Sequence, residues 1–199
     1  IGSVALNDSF NGREGGWNVQ SSNVDYLVSS LSAEDTIELI ANGQIVIDAA
    51  QIVSSNGHIE MLAGLGITIE DDIAEHQTYK KGKFGKRKKE ITDYQTFAIR
   101  ALLDAGKGVR LHAELGDITL KATEITSAEG AHVSASNGKV NLLLSKETDH
   151  YSYVSVRKGT LKTTTSTEGH FIETAIPNAI VGGLMVESAY GLNVEYQGD

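Results

Sequence analysis

The chain has 199 residues, a formal charge of −9, 21 glycines, one proline, no cysteine and 6% aromatic residues. Without cysteine it holds no disulfide and no thiolate metal site. Its acidic balance argues against nucleic acid as a general partner, because phosphate binding needs a basic surface. No apolar run approaches the length of a membrane-spanning helix.

Residues 1–35 are the least regular. Val4/Leu6, Trp17/Val19 and Val24/Tyr26/Val28 read as strands of an irregular first turn, and NGREGG (11–16) as a loop. Trp17, the only tryptophan, reads as a plug over the open end of an apolar core, since stacked folds need covered ends.

From Ile37 a short-period pattern takes over. Apolar pairs at Ile37/Leu39, Ile45/Ile47, Ile59/Met61 and Ile67/Ile69 are separated by small and polar residues. Alternation marks strands with one buried face. Ile37 to Ile59 and Ile45 to Ile67 are both steps of 22 residues. Such a step predicts a coil of three strands per turn, each strand lying over its equivalent in the next turn. The residues from Ala41 to Gly57 then recur from Glu114 to Gly130 at an offset of 73, matching Ile45 with Ile118, Ala49 with Ala122 and Gly57 with Gly130. Inside the second copy, Leu111 to Val133 and Ile118 to Val140 repeat the 22-residue step.

The pattern breaks twice, at corresponding places. Residues 76–96 form a polar excursion that carries Lys80, Lys81, Lys83, Lys86, Arg87, Lys88 and Lys89. Residues 148–170 read as a β-hairpin turning at Arg157-Lys158-Gly159. Both leave after a second strand and return before a third. They therefore emerge from one edge, two turns or about 10 Å apart, where they can pair into a small side sheet. Handedness follows the right-handed preference of parallel crossovers.

Few residues suggest chemistry. Asp71-Asp72 reads as a solvated strand terminus. Asn42, Asn56 and Asn137 read as turn residues that tolerate left-handed backbone, like the glycines beside them. His76 and His150 open the two excursions and read as turn residues inherited with the repeat, rather than as metal ligands or pH sensors. The calcium nonapeptide repeat, phosphate loops and GxSxG are absent. The basic tract at 80–89 is the one charge anomaly, suited to a solvated hairpin tip or to anionic headgroups.

Gly116-Asp117-Ile118-Thr119-Leu120, with Glu147-Thr148-Asp149-His150-Tyr151 after it, resembles the haemagglutinin repeat of large two-partner-secretion exoproteins. These are filamentous-haemagglutinin-type adhesins and contact-dependent growth inhibition effectors. The resemblance covers residues 37–199. The first copy departs from the pattern, with Gln44 in place of the aspartate and an unusually basic excursion. The resemblance implies a secreted or cell-surface, outer-membrane-associated Gram-negative filament, exported by a dedicated outer-membrane transporter. In the growth-inhibition branch it implies delivery of a toxin to a neighbouring cell.

The expectation is an all-β, right-handed parallel β-helix (a solenoid) of five or six turns with two hairpin-like excursions. Residues 1–199 are one segment: 1–35 an irregular first turn, 36–108 copy 1 with excursion 76–96, 109–183 copy 2 with excursion 148–170, and 184–199 the start of copy 3. The chain reads as an excised, monomeric piece of a larger exoprotein that binds no nucleic acid. Catalytic, metal and cofactor sites are not expected. The seven basic residues at 80–89 are the candidate contact with a target-cell outer membrane or surface glycan. A glycan-binding adhesin rod is the alternative, and a polysaccharide-degrading β-helix enzyme the more distant one.

Overall fold

The computed structural model describes residues 1–196 and is all-β. Its strands run in a repeating order. A hairpin, β1 (Val4–Glu14) and β2 (Trp17–Leu27), is followed by β3 (Ser30–Ala33), β4 (Ile37–Ala41), β5 (Gln44–Asp48), β6 (Gln51–Ser54), β7 (Ile59–Ala63) and β8 (Gly66–Glu70). A second hairpin, β9 (Asp72–Phe84) and β10 (Arg87–Ile99), leads to β11 (Leu102–Ala105), β12 (Gly108–Ala113), β13 (Ile118–Lys121), β14 (Glu124–Ser127), β15 (Gly130–Ala135) and β16 (Val140–Leu143). A third hairpin, β17 (Ser145–Lys158) and β18 (Thr163–Ile176), precedes β19 (Ala179–Val181), β20 (Leu184–Ser188) and β21 (Leu192–Val194).

The short strands assemble into three parallel five-stranded sheets, β3-β6-β11-β14-β19, β4-β7-β12-β15-β20 and β5-β8-β13-β16-β21. The chain visits the three in turn, five times, an arrangement compatible with a parallel β-helix. The 22-residue steps are pairings: Ile37 lies beside Ile59, Ile45 beside Ile67, Leu111 beside Val133 and Ile118 beside Val140. Where a hairpin intervenes the register holds across it, so Ile67 pairs with Ile118 and Met61 with Leu111.

Like residues therefore stack on like. Ile52, Leu103 and Ile125 form one buried column, Met61, Leu111 and Val133 a second, and Ile69 and Leu120 part of a third. Each such side chain contributes roughly 1.5–3 kcal/mol by leaving water. Aliphatic residues suit the space because each rung has only about 4.8 Å of height to fill.

The hairpins form one antiparallel sheet of six strands, in the order β1-β2-β9-β10-β17-β18. Spacing explains its continuity. Each hairpin adds two strands to the side sheet, and the two rungs before the next hairpin add two strands to each parallel sheet. Both advance by two strand spacings, about 10 Å, so β2 meets β9 and β10 meets β17 without strain. Of the side chains in this sheet only Val19, Ala74, Thr96 and Ser145 are buried, so both of its faces meet solvent along most of their length.

Several expectations need correction. Residues 1–35 are not an irregular turn: most of them form a third hairpin, hidden by polar residues on both faces of β1 and β2. The excursions are longer than 76–96 and 148–170, because pairing continues through Asp72–Ile99 and Ser145–Ile176. Trp17 does not plug the core. It sits at the far end of β2, across from Gly82, with its ring 4.9 Å from that of Phe84.

Asp71 is no solvated terminus. Its side chain is fully buried, with the Lys121 ammonium 3.1 Å away, while Asp72 accepts a hydrogen bond from the Ser3 hydroxyl. Asn42, Asn56 and Asn137 do not take left-handed backbone; among the described residues the non-glycine ones that do are Ala49 and Ala122. Asn137 instead donates from Nδ2 to the Glu114 carbonyl one rung away, at 2.9 Å. Gly116 is required by close approach, since a Cβ there would lie 1.5 Å from the Leu65 carbonyl oxygen.

Side chains just after the second and third hairpins bond to backbone carbonyls of the stack. Asn178 donates to the carbonyls of Leu120 and Leu143, at 3.0 and 3.2 Å, and accepts from the Thr123 amide. Arg100 donates to the carbonyls of Ala122 and Pro177, at 3.0 and 2.8 Å. These bonds hold the side sheet against the stack.

Candidate functional site

The seven basic residues chosen from sequence lie at the far end of the side sheet. Lys80, Lys81 and Lys83 are on β9, Lys86 is in the turn, and Arg87, Lys88 and Lys89 are on β10. Alternation in the strands divides them between two faces. Cross-strand register places Lys83 beside Lys88 and Lys81 beside Glu90 on one face. Arg87, Lys89 and Lys80 belong to the other.

The two faces differ in chemistry. On the first, Lys81 Nζ meets Glu90 Oε1 at 2.9 Å, and this partner raises the Lys81 pKa. Beyond that pair, Lys83, Lys86 and Lys88 line a cleft of about 410 Å³ with Lys158, Val156 and Thr160. On the second face, Lys89 Nζ lies 5.5 Å from the ring centre of Phe84 and 5.9 Å from that of Tyr153, within cation–π reach. Arg87, Arg157, Tyr153 and Ser155 border a cleft of about 360 Å³ there.

The sequence reading missed Arg157 and Lys158. They lie far along the chain from the tract, yet Arg157 stands directly across from Arg87, and the Lys158 amide donates to the Lys86 carbonyl at 3.3 Å. The offset between the two copies was a signal for them, since it maps Phe84-Gly85 onto Arg157-Lys158. Arg13 on β1 and Lys162 in the last hairpin turn also lie toward this end, which so collects eleven of the 17 lysines and arginines.

The two histidines singled out are not equivalent. His76 Nε2 is 2.8 Å from Asp25 Oδ1 on β2, while its ring meets Phe97 edge-on. His150 points to the opposite face, edge-on to Phe171. Neither is a turn residue; both lie within strands. A second His–Asp pair, His170 with Asp149 at 3.2 Å, lies on the same face as the His76 pair. Among the described residues no group of three or more His, Asp or Glu is placed to hold a metal ion.

Residues 82–169 match the family model described as Hemagglutinin repeat. The matched stretch is just under half of the chain. It runs from Gly82 in β9 to Gly169 in β18, spanning the end of one hairpin, two full rungs and most of the next hairpin. No curated protein and no solved structure matches the chain. Hemagglutinin repeats are structural, adhesin-type segments of secreted or cell-surface exoproteins and are not typically enzymes. The matched residues include all those that line the lysine cleft.

Proposed function

We propose that the chain is a non-catalytic segment of a right-handed β-helical rod. It belongs to an exoprotein sent across a Gram-negative outer membrane by a two-partner-secretion transporter, and its side sheet engages the envelope of a target cell. The observation that carries this reading is the concentration of eleven basic side chains at one end of the side sheet of an acidic protein. Such a distribution turns one edge of the molecule toward an anionic surface and the rest away from it. Contact-dependent growth inhibition is the setting that uses such an engagement to deliver a toxin.

The reading is tested by binding to bacterial outer-membrane vesicles. The wild-type chain is compared with a variant carrying Ser at 80, 81, 83, 86, 87, 88 and 89. Binding that weakens steeply with added salt and is lost in the variant supports envelope contact. Equal, salt-insensitive binding by both proteins contradicts it.

A second reading draws on the aromatic group at the same end. Trp17, Phe84 and Tyr153 share a face with Arg87 and Arg157. Flat rings beside hydrogen-bond donors suit the apolar faces and hydroxyls of sugars, so a glycan-binding adhesin rod is the alternative. Salt-independent binding to a neutral glycan, lost on Tyr153→Ala, is its distinguishing result.

A further inference from the structure

The lysine cleft has features that a merely solvated hairpin tip does not need. Lys83, Lys86, Lys88 and Lys158 border one cavity of about 410 Å³ whose lining contains no carboxylate. Among the described residues none of the four forms an ion pair, although Lys81, one register step away, pairs with Glu90. The register also opposes like charges in the cleft: Lys83 faces Lys88 across β9 and β10. Like charges directly across a sheet are destabilising. An arrangement of this kind is relieved by an anion with several charges.

We propose that the cleft binds clustered phosphates, that is, a group carrying two or more phosphates within a few ångströms of each other. Lysine is suited to this ligand. Its ammonium is a compact charge with three rotatable donors on a flexible stem, which matches phosphate oxygens without requiring the planar geometry of a carboxylate pair. One phosphate monoester brings a charge of about −1.5 to −2 and three acceptor oxygens, so two of them balance the four ammonium groups. Val156 supplies an apolar wall, and Thr160 adds a hydroxyl. At Gly85 a side chain would meet nothing within 4 Å, so the mouth of the cleft is open there. The site is assembled from two hairpins that lie far apart in sequence, and it exists only where β10 pairs with β17. It deepens the envelope-contact reading and rests on it for its biological setting alone.

The test is calorimetric titration of the full chain with sodium tripolyphosphate, with sodium sulfate at matched ionic strength as the reference. A variant with Lys→Ser at 83, 86, 88 and 158 is compared with Arg87→Ser/Arg157→Ser, which alters the opposite face. The expected result is saturable tripolyphosphate binding at least tenfold tighter than sulfate. It weakens at least tenfold in the lysine variant and less than threefold in the arginine variant. Lipid and soluble sources are separated by a second arm, co-sedimentation with phosphatidylcholine vesicles prepared with and without phosphatidic acid. Tripolyphosphate binding without binding to outer-membrane vesicles supports the cleft and removes the envelope reading. Vesicle binding with no preference for tripolyphosphate over sulfate overturns the cleft and leaves envelope contact standing. Equal affinity of wild type and lysine variant overturns it as well.

Discussion

Ala49 and Ala122 hold equivalent positions in the two copies, and both adopt a left-handed backbone with φ of 46° while fully buried. Each occupies the corner where the chain passes from one rung to the next without a hairpin. A left-handed conformation costs an L-residue roughly 1–2 kcal/mol, and a β-branched side chain fares worse there. Ala49→Val and Ala122→Val should each lower unfolding stability by about 2 kcal/mol or more in urea. Glycine at either position should be nearly neutral, because relief of strain offsets the lost buried methyl, worth about 0.8 kcal/mol.

Arg87 and Arg157 face each other across β10 and β17, both exposed. Arg157→Glu exchanges repulsion for attraction and should stabilise the chain by roughly 0.2–1 kcal/mol at low salt. The gain should shrink as salt is added. Thermal melts at two ionic strengths check both the sign and the screening. A gain in stability from reversing a natural charge is the pattern expected where an interaction surface has been kept against stability.

Asp71 and Lys121 make the opposite case, with one buried carboxylate and one counter-charge 3.1 Å away. The ammonium lies within ion-pair distance, but neither carboxylate oxygen has a hydrogen bond of good geometry. Lys121→Met leaves the carboxylate buried and unpaired, a loss of about 3 kcal/mol. Adding Asp71→Leu should recover most of it, since an apolar pair needs no partner. Urea unfolding of the two single variants and the double variant measures this coupling directly.

Two tyrosines set an alkaline limit. Burial raises the Tyr26 pKa above its usual value, with Asp72 and Glu75 adding to the shift; burial and then Glu75 do the same for Tyr94. The folded chain thus holds these protons more tightly than the unfolded chain. The stability involved is fully present below pH 10, the ordinary tyrosine value, and is lost as pH rises through the folded-state values. Melting temperatures measured from pH 9 to 11.5 should fall on the alkaline side. Tyr26→Phe/Tyr94→Phe should flatten that fall.

What the sequence revealed follows the physics of each part. The rungs were legible because their interior alternates and their length repeats, so Ile37/Ile59 and Ile118/Val140 could be paired by counting. The side sheet was legible only in outline. Its strands bury almost nothing, so the short alternations at Val4/Leu6, Trp17/Val19 and Val24/Tyr26 did not reveal two eleven-residue strands, and Trp17 looked like an end plug. Asp71 was misread because local sequence does not show that Lys121 arrives beside it from a later rung. Three of the four cleft lysines were read and one missed, since Lys158 joins Lys83, Lys86 and Lys88 only through the pairing of β10 with β17.

If the proposed function holds, the basic end of the side sheet, and not the flank of the stack, meets an anionic surface. Because the chain has no cysteine, a single environment-sensitive dye can be placed at Thr160→Cys beside the cleft or at Glu38→Cys on the exposed face of β4. Each labelled protein is then mixed with outer-membrane vesicles. The expected result is a blue shift at position 160, reversed by salt, and none at position 38. An equal shift at both positions, or a shift at position 38 alone, would contradict envelope contact through this end of the sheet.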